Sequence, residues 1–178
     1  IIISRGVVAS AKRLTFDFTF ISKQQKNHKQ KIAIAKKAID YINDGDVVIL
    51  DTGTTTLEIA HQLIGKKKVK VITTSLAIVS KLQFADGIEI ILLGGQLRHG
   101  SPDIHGPLTE KCLSFFKADV AFVGADAIDS QANTYTDDLR ILSVDQKITE
   151  CSKKVIIVAD SSKLNRSSMC KIFSHKDY

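Results

Sequence analysis

The chain has 178 residues, of which 44% are hydrophobic and 25% are charged. This length suits one domain with a buried core, and the apolar content excludes a wholly disordered chain. Lysine and arginine number 25 against 19 aspartates and glutamates, and the net charge of +6 favours anionic ligands or nucleic acid as partners. The longest apolar runs, such as residues 47–50, are too short to span a membrane.

The first part of the chain carries one strand signal and one helix signal. Residues 14–20 alternate apolar and polar side chains, which predicts a strand. Apolar side chains then recur at steps of three and four residues, which predicts an amphipathic helix. These apolar positions are Ile32, Ala35, Ile39 and Ile42. Gly45 lies in the polar turn that follows, and we expect it to end the helix in the left-handed conformation.

From residue 47 onward, strand and helix signals alternate along the chain. The predicted strands cover residues 47–50, 69–72, 88–93, 120–123 and 155–159, with a short strand at 134–136. The predicted helices cover residues 55–63, 76–83, 108–116 and 139–151. Such alternation predicts an α/β fold with an open, mostly parallel, Rossmann-like sheet and helices on both faces.

Small polar residues follow the predicted strands at their carboxyl ends. In open parallel sheets, ligands bind beyond these ends, so the loops there are candidates for one binding site. The five loops are residues 51–55, 73–75, 94–95, 124–126 and 160–163. Their convergence on one edge of the sheet is the main functional prediction.

The loop at residues 51–56 is suited to an anion such as phosphate. Gly53 lets the backbone approach a ligand closely, and Thr54 and Thr55 open a helix whose free N–H groups and dipole favour negative charge. The loop matches neither G-x-x-x-x-G-K-[ST] nor G-x-G-x-x-G, so neither ATP nor NAD is indicated. The alternative is an ordinary capped helix start.

Charged and glycine residues of the other loops extend this candidate site. Arg98 follows Gly94 and Gly95 and suits a phosphate or a carboxylate, or else it is a surface arginine. Asp126 suits sugar hydroxyls or general-base chemistry, and Lys163 suits a phosphate. Each of these two also has an ordinary alternative as a solvated loop residue.

Cysteine and histidine usage gives no sign of a metal or a disulfide framework. The three cysteines, Cys112, Cys151 and Cys170, are widely spaced and form no C-x-x-C pair, which favours a reduced, cytoplasmic setting. The histidines form no zinc-binding pattern. We expect no metal and no cofactor.

The succession of motifs resembles the C-terminal effector-sensing domain of DeoR-family bacterial transcription regulators. The anchors in chain order are residues 31–35, 44–56, 72–76, 93–98, Gly106, 118–126 and 159–164. The resemblance implies a winged helix–turn–helix for operator DNA in the parent protein, followed by a sensing domain. It also implies that a phosphorylated sugar or similar metabolite binds the sensor and alters DNA affinity.

The same resemblance implies the residues of the ligand pocket. It assigns the phosphate loop to Gly53, Thr54 and Thr55, and our full ligand-binding set is Asp51, Gly53, Thr54, Thr55, Thr73, Thr74, Gly94, Gly95, Arg98, Asp126 and Lys163. The family often has Asn at the position of Thr74. The implied fold is similar to ribose-5-phosphate isomerases and CoA transferases.

The resemblance also implies an organisation of the chain. Residues 29–178 are expected to form the sensing domain, and residues 1–28 a hinge remnant and N-terminal extension. The chain carries no recognisable winged helix, so we expect a fragment of a longer protein whose DNA binding lies in the missing part. A homo-oligomer is expected, and a membrane partner is not.

A sugar-phosphate isomerase is the alternative function. Residues 124–126 resemble the isomerase segment that carries an aspartate base, here Asp126. The lysine and glycine stretch that follows in the isomerases is absent from residues 133–140, so no stabiliser for an enediolate is apparent. We therefore expect a binding domain and not an enzyme.

Overall fold

The computed structural model describes residues 2–4, 7–9 and 20–178. The strand predicted over residues 14–20 lies outside this described part, except for Phe20, which is helical. The α-helices are α1 (described over residues 20–25), α2 (His28–Ala38), α3 (Thr54–Leu63), α4 (Leu76–Leu82), α5 (Pro107–Leu113) and α6 (Leu139–Glu150). Short 3₁₀ turns cover Ile39–Tyr41 and Ser161–Lys163.

The strands include every one predicted from residue 47 onward. They are β1 (Ile2–Ser4), β2 (Val7–Ala9), β3 (Val47–Leu50), β4 (Val69–Thr73), β5 (Ile88–Leu92), β6 (Gln96–Leu97), β7 (Ile104–His105), β8 (Val120–Gly124), β9 (Ala127–Ile128), β10 (Thr134–Thr136), β11 (Val155–Val158) and β12 (Cys170–Phe173). Gly45 has the predicted positive φ of 94°, but it turns the chain into β3, since the helical residues already end at Tyr41.

A parallel sheet of five strands forms the centre of the fold, in the order β11-β8-β3-β4-β5. In β3, Leu50 lies opposite Thr73 of β4 and Phe122 of β8, so the three strands end at nearly the same level. Of these five strands, β3 comes first in the chain but lies in the middle of the sheet. Later strands are added on both of its sides, β4 and β5 on one and β8 and β11 on the other.

Helices pack on both faces of this sheet, as predicted. Successive side chains of a strand point to opposite faces, and the core divides accordingly. Val48 and Leu50 belong to one buried cluster, to which α2, α3 and α4 contribute. Ile49 belongs to the other, together with residues of α5, α6 and β12.

Short antiparallel pairs at the rim were not predicted, because two-residue strands leave no periodic signal. The hairpin formed by β6 and β7 is one of them, and its loop folds over the end of β4. The N–H of Leu76 donates to the carbonyl of Pro102 at 2.8 Å, and the N–H of Ile104 donates to that of Thr74 at 3.0 Å. The hairpin therefore covers the carboxyl end of β4, while the ends of β3, β8 and β11 remain open.

Candidate functional site

A cavity of about 260 Å³ lies at the carboxyl ends of β3, β8 and β11. Its walls come from the loops after these strands, from α1 and α2, from the β6–β7 hairpin loop and from α6. The predicted site residues that line it are Asp51, Gly53, Thr54, Thr55, Arg98, Asp126 and Lys163. Three of the five predicted loops thus meet at one site.

Thr73 and Thr74, which were predicted to line the site, lie outside the cavity. The hydroxyl of Thr73 donates to the carbonyl of Leu50 at 2.7 Å and accepts from the N–H of Ser75 at 3.0 Å. Thr74 is buried under the hairpin loop, and its carbonyl is used there. Thr73 thus ties β4 to β3, and Thr74 ties the end of β4 to β7.

Gly94 and Gly95 also lie outside the cavity, for a packing reason. A side chain on Gly95 would place its Cβ 2.2 Å from the Thr109 hydroxyl and 2.7 Å from the His105 carbonyl, at a backbone φ of 153°. The Thr109 hydroxyl donates to the carbonyl of Gly94 at 2.9 Å. The glycine pair lets α5 approach the β6–β7 hairpin closely, and the structure gives it no contact with the cavity.

The N-terminus of α3 opens into the cavity. Gly53 precedes the helix and provides no side-chain cap, so the first-turn N–H groups have no such acceptor. The φ of Gly53 is 165°, an extended value that other residues adopt, and an added Cβ would meet only the Thr56 hydroxyl, at 3.3 Å. Gly53 is therefore explained by the room that it leaves in front of the helix, not by a tight turn.

Lys31 is a cavity residue that was not predicted. Its side chain is 95% buried, and its ammonium donates to the carbonyl of Lys23 and, at 2.8 Å, to that of Lys26. Burial lowers the pKa of this amine, while Asp160 acts in the opposite direction. Lys31 joins α1 to α2 and brings a positive charge to the cavity wall.

The turn between α1 and α2 is tied to the loop after β11. The amide nitrogen of Asn27 donates to Asp160 at 2.8 Å and to the Ser162 hydroxyl at 3.2 Å. Burial alone would raise the pKa of Asp160, but hydrogen bonds from Ser162 and Asn27 outweigh it and lower the pKa. The carboxylate of Asp160 thus fixes the wall that also carries Lys163.

Arg98 lines the cavity, but two carboxylates of the protein already bind its guanidinium group. Its Nε and Nη2 donate to Asp103 at 2.9 and 2.8 Å, and its Nη1 donates to Asp138 at 2.9 Å. Nη2 also donates to the Ser101 hydroxyl at 2.8 Å. Arg98 therefore links the hairpin loop to the start of α6, and its predicted role in binding the ligand stays a prediction.

Asp126 faces the cavity from the loop after β8. Its Oδ2 accepts from the Thr136 hydroxyl at 3.2 Å, and its Oδ1 lies 3.5 Å from the ammonium of Lys23. Its side chain is 31% exposed, so it remains accessible from the cavity. The pair with Lys23 connects α1 to the sheet across the cavity mouth.

Asp51 and Asp145 form a buried carboxyl pair at the inner end of the cavity. Burial raises the pKa of Asp51 to about 7, although the N–H of Gly124 donates to it at 3.2 Å. Burial and the contact with Asp51 also raise the pKa of Asp145. Two carboxyls in such contact share a proton, since both cannot ionise at low cost.

Sequence signals existed for Lys31 and Asp145, two of the cavity residues that were not predicted. Lys31 stands four and seven residues before Ala35 and Ala38, which places a lysine on the buried face of α2. Asp145 stands three residues before Ile148, on the buried face of α6. A charged residue at an apolar position of a helix is the pattern that would have identified them.

The described residues offer neither a metal-binding cluster nor a membrane-spanning helix. No cluster of His, Cys, Asp and Glu side chains there is suited to holding a metal ion. None of the helices described is both long enough and apolar enough to cross a membrane.

Comparison with known sequences identifies relatives among transcriptional repressors. The family model described as the DeoR C-terminal sensor domain matches residues 26–178. A protein of Escherichia coli O157:H7 named for repression of the aga operon is 36% identical over 150 residues, 84% of this chain and 56% of that protein. The glycerol-3-phosphate regulon repressor of Escherichia coli K12 is 31% identical over 146 residues, 82% of this chain and 58% of that protein.

These relatives are longer than the present chain, which spans less than two thirds of their length. They are repressors, in agreement with the expectation of a regulator and not an enzyme. Among solved structures, ribose 5-phosphate isomerase A from Methanocaldococcus jannaschii superposes with a TM-score of 0.57 at 20% identity, over 78% of this chain and 55% of that chain. This likeness confirms the predicted fold.

Proposed function

The chain belongs to the DeoR C-terminal sensor domain family, a regulatory domain of transcriptional repressors, and we propose that its cavity binds a phosphorylated sugar or a related metabolite. In this proposal, residues 29–178 form the sensing domain. Ligand binding there changes the affinity of the parent protein for operator DNA, through a DNA-binding domain in the remainder of that protein.

The observation that carries the proposal is the open N-terminus of α3 in the cavity wall. The first-turn N–H groups of a helix and its dipole together form an anion site, and Gly53 leaves the space that a phosphate needs. Thr54 and Thr55 line the cavity at this point and provide hydroxyl donors. These three residues are the proposed phosphate loop.

Cationic side chains around this end of the cavity support the proposal. Lys163 and Arg166 line it from the segment after β11, and Lys31 lines it from α2. The burial of Lys31 disfavours its charged form, and a bound anion would offset this cost. A phosphate dianion between these groups would form charge-assisted hydrogen bonds.

The name of one relative agrees with this ligand class, since it is called the glycerol-3-phosphate regulon repressor. A cavity of about 260 Å³ also suits a compact metabolite, because sites for drug-sized ligands are generally larger. The ligand of the present chain is proposed on these grounds to be a small phosphate ester.

We propose that the ligand acts by selecting one arrangement of the cavity walls. Lys31 and Asn27 hold α1 and the α1–α2 turn against the loops of the sheet. A phosphate that contacts both Lys31 and the α3 N-terminus would favour the closed arrangement and shift its population. Self-association of the sensing domain, which we also propose, would carry this shift to the DNA-binding parts.

Thermal unfolding with a panel of ligands tests the proposal. Sugar phosphates are compared with the same free sugars and with inorganic phosphate at constant ionic strength. A ligand at a hundred times its Kd stabilises the folded state by about 2.7 kcal/mol, a clear shift in Tm. We expect such shifts with phosphate esters and none with the free sugars, and turnover assays on the same compounds should show no product.

Gly53→Arg places a long side chain in front of α3 and should abolish these shifts. Ala33→Arg adds the same charge at an exposed position of α2 and serves as the matched control. Native affinity in Gly53→Arg would show that the phosphate site is wrongly placed. No shift with any phosphate ester in the unchanged protein would contradict the proposed function itself.

A further inference from the structure

The inner end of the cavity has the opposite charge from the phosphate loop. We propose that the ligand carries a protonated amine as well as its phosphate, and that Asp51 and Asp145 bind this amine. This inference rests on the proposed function, and it defines the ligand more narrowly, as a phosphate ester of an amine-bearing metabolite such as an amino sugar.

An unpartnered atom of Asp145 is the first observation. This residue is 98% buried and lines the cavity, yet no N–H group or hydroxyl of the described residues donates to its Oδ1. The hydroxyl of Thr52, the residue after Asp51, is likewise buried without a partner in this part of the structure. Buried polar atoms in native proteins are nearly always satisfied, so two exceptions in one cavity indicate groups that await a ligand.

The separation of charge along the cavity is the second observation. Asp160 and Lys163 are the charged groups that act most strongly on Lys31, at the phosphate end. The charged groups that act most strongly on Asp145 are Asp51, Asp126 and Arg98. Asp160 already accepts hydrogen bonds from Asn27 and Ser162. A ligand that spans the cavity therefore meets mainly the cations Lys31, Lys163 and Arg166 at one end and carboxyls at the other.

Arg98 does not neutralise the carboxyl end. Its guanidinium binds Asp103 and Asp138, and Arg140 also binds Asp138, so these four groups balance in charge. Arg98 lowers the pKa of Asp51 and Asp145, but its effect on Asp51 is smaller than the opposite effect of Asp103. The carboxyl pair keeps an unmatched negative potential, which suits a cation from the ligand.

A hydroxyl group would fit this position less well than an amine. It would donate to Oδ1 of Asp145, but it brings no positive charge, so the two carboxyls would keep the proton that they share. An ammonium group offers three donors and a positive charge, so both carboxyls can ionise around it. Asp51 and Asp145 would then give up the proton that they share in the free protein.

Matched pairs of phosphate esters test the inference by calorimetric titration. Glucosamine 6-phosphate is compared with glucose 6-phosphate, and galactosamine 6-phosphate with galactose 6-phosphate. N-acetylglucosamine 6-phosphate tests whether the charge of the amine is needed. We expect at least one amine ester to bind about tenfold or more tightly than its hydroxyl partner, and acetylation to remove that gain.

Asp145→Asn keeps the shape of the side chain and removes its charge. We expect this variant to fold, because it relieves a buried carboxyl pair, and to lose the preference for the amine while keeping its affinity for the hydroxyl ester. Asp86→Asn makes the same change at an exposed residue in the turn before β5, outside the cavity lining, and should bind like the unchanged protein. Equal losses for both esters in Asp145→Asn would overturn the inference.

Proton release provides a readout that does not depend on affinity. Titrations in buffers of different ionisation enthalpy, near neutral pH, should show release of up to about one proton per amine ester bound. Asp51 and Asp145 are the source, with Asp103, Asp126 and Arg98 as the other charged groups that act on the pair. Asp145→Asn should lose this release, and an unchanged release in that variant would contradict the assignment.

The outcomes separate this inference from the proposed function. Binding of hydroxyl esters with no preference for amine esters would overturn the amine site and leave the phosphate site supported. Failure of every phosphate ester to bind would overturn both. A preference for an amine that survives in Gly53→Arg would support the carboxyl pair but contradict the phosphate loop.

Discussion

A buried amine joins two helices at the wall of the cavity. Lys31 donates to carbonyls at the end of α1 and also lines the cavity. Its structural role is observed, and the proposed function adds a role in ligand binding. A single substitution should therefore affect both stability and binding, and a control on the same helix can separate this effect from a loss of surface charge.

We expect Lys31→Met to lower the free energy of unfolding by about 1–3 kcal/mol, because it removes two partly buried hydrogen bonds to carbonyls. It should also weaken phosphate-ester binding. Lys37→Met removes an exposed lysine of α2 that pairs with Asp40, and it should leave stability almost unchanged. Urea denaturation of both variants tests this, and equal losses would contradict the role of Lys31.

At the scale of elements, the start of α6 is held by one carboxylate. Asp138 caps the helix through the N–H of Arg140 at 3.0 Å, and it also binds the guanidinium groups of Arg140 and Arg98. Bonds from Arg140 come first among the causes that hold the pKa of Asp138 well below its usual range. This residue ties α6, which carries Asp145, to the β6–β7 hairpin.

Asp138→Asn should therefore destabilise the fold in a pH-dependent way. A carboxyl with a lowered pKa contributes its full stability above its unfolded pKa of about 4 and loses it as the pH falls further. We expect a deficit of about 1–3 kcal/mol near neutral pH that shrinks below about pH 4. Denaturation at a series of pH values measures this deficit, and one that does not change with pH would contradict the role of the charge.

Most elements could be predicted from the sequence because their apolar patterns are local. β3 and α6 have continuous or periodic apolar residues, and both lie within one or two residues of their predicted bounds. β6 and β7 could not be predicted, since each has two residues and depends on pairing with the other. Their loop covers Thr74 and so keeps the end of β4 out of the cavity. No local sequence pattern predicts where this loop packs.

The candidate site was predictable where each loop directly follows its strand. Gly53 and Lys163 line the cavity as the loops predicted. Gly94 and Gly95 do not, because strand order and not strand sequence decides which ends stay open. Lys31 and Asp145 lie on helices, and the sequence analysis did not predict that these charged side chains are buried.

For the molecule as a whole, the carboxyl pair in the cavity sets a pH dependence of stability. Asp51 and Asp145 have raised pKa values, so the folded state holds a proton that the unfolded chain releases. Their contribution to stability therefore falls as the pH rises from about 4, the unfolded pKa of an aspartate, towards the folded value of about 7 for Asp51.

We expect Asp145→Asn to remove most of this decline. Near pH 8 the free energy of unfolding of the variant should exceed that of the unchanged protein by about 1 kcal/mol or more. This difference should shrink as the pH falls towards about 4.5. Other titrating groups are common to both proteins and cancel in the difference. Parallel stability curves from urea denaturation across this range would contradict the shared proton.

The order of the strands has a consequence for the protein during its synthesis. β3, β4 and β5 leave the ribosome first and form one half of the sheet, whereas β8 and β11 add the other half later. Asp145, Lys163 and the β12 residue Ile172, all of which line the cavity, are made last. A nascent chain therefore has no complete pocket, and we expect the ability to respond to the metabolite to arise only when translation of this domain is finished.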